Sequence, residues 1–89
     1  MDFNVQQAQK FTGELLRNLL CRKITPDQAL QQLMHYYQER GVSFGDGEIT
    51  SWRMLLIEIL EAGHGKIQYG IREATKEALD VVDKARGRR

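Results

Sequence analysis

The sequence is short of most of the features that mark function at a glance. It has a single cysteine, Cys21, so no intrachain disulfide can form and the cross-linked framework of a small secreted domain is excluded. The longest purely apolar run is the four-residue Met54-Leu55-Leu56-Ile57, against the roughly 20 residues needed to span a bilayer, so no membrane segment is expected. The opening residues Asp2, Phe3 and Asn4 do not follow the basic-then-apolar order of a secretory leader, and a reducing cytoplasm is the expected setting. Net charge is nearly absent: thirteen basic and twelve acidic side chains leave a formal +1, which carries no general attraction to nucleic acid or anionic membrane. Three of the positive charges sit in the last four residues, Arg86-Gly87-Arg88-Arg89, and without them the formal charge becomes −2. Any electrostatic footprint must therefore be local.

Eighty-nine residues suffice for one domain with one core. An apolar share of 42% and a charged share of 28% are those of an ordinary globular chain. A domain this small buries only about 60% of its unfolded surface, which makes self-association a common remedy.

Helical periodicity recurs along the chain. At about 100° per residue, Val5, Ala8, Phe11, Leu15, Leu16, Leu19 and Leu20 fall on one half of a helical wheel, with Gln6, Lys10, Glu14, Arg17 and Asn18 on the other. Asn4 and Gln7 have the spacing of a capping box, and Phe3 and Ala8 that of a hydrophobic staple. Gly13 lies inside this helix at the edge of its apolar face, which points to a close neighbouring backbone. Thr25-Pro26-Asp27-Gln28 is a helix start, with threonine at the cap, proline at the first helical position and Gln28 able to reach back. The second helix turns Ala29, Leu30, Leu33, Met34, Tyr36 and Tyr37 to one side and stops at Gly41.

After a loop from Val42 to Gly47, Asp46 is placed to cap a third helix that runs to Ala62. Ile49, Trp52, Leu55, Leu56, Ile59 and Leu60 make one broad apolar face, while Met54 and Ile57 fall off it, among Thr50, Arg53, Glu58 and Glu61. A helix apolar over most of its girth is expected to be buried on most sides, which puts the third helix at the centre of the fold. In the last segment Ile67, Ile71, Ala74, Ala78, Val81 and Ala85 form a seam at alternating spacings of four and three, and its alanines permit close approach. Lys76, Asp80 and Lys84 lie opposite, on a solvated face. Ile67, Tyr69 and Ile71 also alternate as a short strand does, an alternative that has no second strand to pair with. The reading is an all-α fold, a compact bundle of four helices over about 4–22, 26–40, 47–62 and 66–85 as a single domain, with a basic tail over 86–89.

No constellation of catalytic or ligating residues stands out. Cys21, near the end of the first helix's polar side, has Arg17, Arg22 and Lys23 nearby but no adjacent histidine. His35 and His64 show no metal-ligand spacing with each other or with Cys21, so no metal is expected. Gly63-His64-Gly65-Lys66 resembles the end of a phosphate loop, but Leu60 stands where the leading glycine belongs and Ile67 where the Ser or Thr belongs. Gly45-Asp46-Gly47-Glu48 lacks the spaced carboxylates of a calcium loop. The second and third helices do not make a helix-turn-helix, because their connection is too long and the second of the pair is too apolar.

The function expected is therefore non-catalytic, with no cofactor: a protein-interaction module acting as regulator, adaptor or inhibitor. Its partner-binding residues are expected at Arg53, Met54, Ile57 and Glu61, with a homodimer as one possible assembly. The competing expectation is a nucleic-acid accessory protein that uses Lys84, Arg86, Arg88 and Arg89. Far-ultraviolet circular dichroism should show a predominantly helical spectrum, and one dominated by strand signal would overturn every face assignment above.

Overall fold

The computed structural model describes residues 4–87, with side chains through position 84. In chain order these are α1 (Val5–Leu20), α2 (Pro26–Gln38), α3 (Asp46–Ala62) and α4 (Ile67–Gly87), with a single 3-10 turn at His64–Lys66. No strand occurs among the described residues, so the all-α bundle holds and the Ile67–Ile71 alternation resolves as helix.

Helix ends are set by local hydrogen bonds. The Asn4 side chain accepts from the Gln7 N–H (2.9 Å), and Phe3, the proposed staple residue, lies outside the described residues. At α2 the capping box is complete, Thr25 Oγ1 accepting from Gln28 N–H and Gln28 Oε1 from Thr25 N–H. The cap of α3 is Gly45 rather than Asp46, because Glu48 turns back to accept the Gly45 N–H (2.7 Å) and leaves Asp46 inside the first turn. Helix α2 ends earlier than Gly41: the Val42 N–H reaches the Tyr37 carbonyl and the Gly41 N–H the Gln38 carbonyl, with Gly41 at φ 78. This is a Schellman motif, and it tucks Val42 into the core. Helix α1 closes in the same way, but there the left-handed position is held by Arg22 at φ 64, a conformation that costs a side-chain-bearing residue about 1–2 kcal/mol.

The most extensive helix pair is α1 with α4, where small side chains meet. Ala8, Thr12 and Gly13 on α1, and Gly70, Ala74, Thr75 and Ala78 on α4, are all buried. A Cβ on Gly70 would come within 2.8 Å of Ile59 Cδ1 and 2.9 Å of Leu16 Cδ1, so both methyls occupy space that only glycine leaves open. Gly13 serves the same purpose, though its neighbour is the Ile71 side chain rather than a backbone. On α4 Val82 is buried while Val81 is half-buried, a shift of the core face by one position, and the side chain of Ala85 lies outside the described residues.

Helix α3 buries Trp52, Leu56 and Ile59 and half-buries Ile49, Leu55 and Leu60. It packs against each of the other helices but is not enclosed on every side. Arg53, Met54, Ile57, Glu58 and Glu61 all face solvent, and α1 also packs against each of the other three helices. The high apolar content of α3 reflects one wide core face plus two exposed side chains.

An aromatic cluster ties α2 to α3. Tyr37 stacks on Trp52 with centroids 5.5 Å apart, and Phe44 from the connecting loop packs on both. The Trp52 Nε1–H donates to the Ala74 carbonyl of α4 (3.3 Å). On α1 the buried Thr12 hydroxyl donates to the Ala8 carbonyl (2.7 Å). Burial drives the Tyr37 phenol far above its ordinary pKa and Tyr36 adds to the effect, with Thr12 and Arg40 opposing.

Two outcomes follow from this core. Leu56→Ala should cost about 2–5 kcal/mol in urea unfolding, since the side chain is almost wholly enclosed. Stability should also fall as pH rises past about 10, the ordinary tyrosine value, because the unfolded chain then releases a proton that folded Tyr37 retains. Tyr37→Phe should remove that part of the alkaline decline, measured by urea unfolding below and above that pH.

Candidate functional site

Surfaces left outside the core are the places where this fold can act. On α3, Met54 and Ile57 follow from the helical wheel: each lies about 200° from a core residue two positions along, Leu56 and Ile59 respectively. Met54 is 65% exposed and Ile57 42%, and they are the large hydrophobics that stand exposed among the described residues. Charged neighbours frame them. Arg53 donates through Nη1 to Asp27 of α2, which holds its head to one side of the patch. Glu58 pairs with Lys66 at 3.7 Å, and the Lys66 ammonium sits 4.7 Å from the centre of the Tyr69 ring. Glu61 is exposed at the far end. The structure thus brings Arg53, Met54, Ile57 and Glu61 onto one outward face of one helix.

Beside this patch runs a groove of about 300 Å³ between α3 and α4, lined by Met54, Leu55, Glu58, Tyr69, Glu73 and Glu77 among others. Its acidity is concentrated. Burial raises the Glu77 pKa, and the charges of Glu48, Asp80 and Glu73 raise it further, while Lys84 opposes them.

A larger concavity of about 440 Å³ lies between α1 and α2. Phe11 stacks on Tyr36 (4.3 Å) at its floor, and the Arg40 guanidinium lies 3.6 Å from the Tyr36 ring centre. Arg40 is held there by donating to the Tyr36 carbonyl (2.7 Å). Ile24 adds apolar wall, and Lys23, Gln28, Gln31, Gln32, His35 and Glu39 form the rim. Periodicity does not find this groove, because it places Phe11 and Tyr36 on core faces. The available signal is that both sit at the edges of their apolar arcs, next to glutamines too polar to cover them.

The titratable candidates are dispersed. Cys21 is exposed at the C-terminal end of α1. His35 pairs through Nε2 with Glu39 (3.0 Å) on the surface of α2, and His64 is exposed in the 3-10 turn. No group of three or more His, Cys, Asp or Glu side chains is placed to hold a metal among the described residues. The Gly63-His64-Gly65-Lys66 segment is the end of α3 and a turn: Gly63 takes φ 85 and its N–H closes on the Ile59 carbonyl (2.8 Å). Of the basic set Lys84, Arg86, Arg88 and Arg89, only the Lys84 side chain lies within the described residues, and it is exposed on α4. Among the described residues no helix is long and apolar enough to cross a membrane. Comparison with protein-family models, with curated proteins and with solved structures finds no match.

Proposed function

We propose that this chain is a small non-catalytic docking module, a regulator, adaptor or inhibitor that binds a protein partner through the outer face of α3. The observation that carries this reading is the exposure of Met54 and Ile57 side by side on a helix whose other large apolar side chains are buried or half-buried. Full burial of such a side chain is worth about 1.5–3 kcal/mol, and a partner that covers these two recovers the part their exposure forgoes. Arg53, Glu58 and Glu61 supply the polar rim that a specific contact surface carries around an apolar centre. Arg53 also pairs with Asp27 of α2 at the edge of the patch.

Ile57→Glu tests the reading. The variant should retain wild-type helicity and cooperative melting, because Ile57 contributes little to the core. A protein captured from the native host by wild type, then purified and titrated by calorimetry, should bind the variant at least about tenfold more weakly, a loss of about 1.4 kcal/mol. Affinity equal to wild type in both Ile57→Glu and Met54→Glu would place the contact surface elsewhere. Unfolding of Ile57→Glu would make that residue part of the core and remove the patch.

A further inference from the structure

The apolar patch of α3 does not stop at Ile57. Met54 belongs both to that patch and to the α3/α4 groove, so the two form one continuous surface, with Leu55 and Tyr69 half-buried along it. The charge on this surface is one-sided. Glu58 and Glu61 stand beside the patch, and Glu73 and Glu77, one helical turn apart on α4, line the groove. Glu48 at the start of α3 and Asp80 on α4 add their charges near Glu77. The nearby cations are already engaged: Arg53 pairs with Asp27 of α2, Lys66 pairs with Glu58, and Lys84 offsets only part of the repulsion that Glu77 meets. Arg72 and Lys76 line a different depression, between α1 and α4.

Lys66 shows which chemistry this surface accepts. Its ammonium lies 3.7 Å from the Glu58 carboxylate and 4.7 Å from the centre of the Tyr69 ring, so a carboxylate and an aromatic face hold one cation together. Glu73 and Glu77 extend the negative wall along α4, where burial already disfavours the Glu77 carboxylate. A cation seated beside it offsets that cost. The same carboxylates repel phosphate, which sets nucleic acid and anionic membrane against this face. A small amine meets the carboxylates but leaves Ile57 in water. A segment that carries apolar and basic side chains together covers both.

We propose that the partner of the α3 patch is a basic amphipathic segment of another protein, whose apolar side chains cover Met54 and Ile57 while its lysines or arginines enter the groove toward Glu73 and Glu77. This rests on the docking reading above and specifies the chemistry of the partner. Ion pairs at a solvated rim are individually weak and screened by salt, so the groove supplies selectivity and encounter rate while the apolar patch holds the complex.

The probe is a fluorescently labelled helical peptide with leucines along one face flanked by lysines, titrated with the full chain and read by anisotropy. Wild type should bind it, with a dissociation constant that rises at least about tenfold from low to high salt. A peptide with glutamate in place of lysine should not bind, and one with its leucines scattered over all faces should bind at least about tenfold more weakly. Glu73→Gln/Glu77→Gln and Ile57→Ser should each weaken the leucine–lysine peptide about fivefold, with helicity unchanged by circular dichroism. Affinity lost in Ile57→Ser but kept in the glutamine pair would leave the patch in place and overturn the basic partner. Affinity kept in Ile57→Ser would remove the patch and with it the joint surface. No binding by wild type, or equal binding of the glutamate or scattered peptide, also overturns the proposal. Sedimentation equilibrium tests the other occupant: a wild-type dimer that both sets of substitutions make monomeric would seat a second copy on this face and overturn the partner named here.

Discussion

The stack of Tyr37 on Trp52 is the contact around which this core is arranged. Each ring is fully enclosed, so neither the phenol nor the indole can turn outward to water. The indole N–H finds its acceptor inside, in the Ala74 carbonyl of α4. The stacked pair from α2 and α3 is thereby tied to α4 as well. A shift of α3 or α4 along its axis would strand the buried indole N–H, at a cost of about 1–3 kcal/mol, on top of the packing lost. Apolar contact alone tolerates sliding. This bond makes the register of α3 against α4 specific.

The close contact of α1 with α4 complements that constraint. Gly13 and Gly70 give up helix propensity, about 1 kcal/mol each against alanine, so that Ile71, Leu16 and Ile59 can fill the space beside them. Small residues on this side draw the two helices together, while on the other side bulky rings join α2 to α3. The Thr75 hydroxyl is buried at the small-residue interface with no hydrogen-bond partner among the described residues, and no feature of the packing accounts for it.

That asymmetry also decides which surfaces are left over. With Trp52, Leu56 and Ile59 turned inward against the aromatic cluster, the opposite side of α3 has nothing to cover it, and Met54 and Ile57 remain in solvent. The stacked Phe11 and Tyr36 line a groove between α1 and α2. A further groove runs between α3 and α4, lined by Glu58, Glu73 and Glu77 among others. Each surface is a consequence of how the core closes.

Much of this was decided within short stretches of chain. The helices, the Thr25–Gln28 capping box, the glycine stop after α2 and the displacement of Met54 and Ile57 from the apolar face of α3 all depend on residues within a turn or two of each other, and so they are legible in the residues themselves. Enclosure of α3 was not. Its apolar girth suggests burial on every side, but whether a neighbour covers Met54 depends on where α2 and α4 lie, which periodicity does not specify. The same holds for Gly13, whose neighbour proved to be a side chain, and for Phe44, a loop residue with no periodic signature that the Schellman turn at Gly41 helps deliver to Trp52. Local spacing determines what each helix offers. Only the tertiary structure, through the stacked Tyr37–Trp52 pair, the buried Trp52–Ala74 hydrogen bond and the space left by Gly70, determined which of those offers were taken up and which remained exposed.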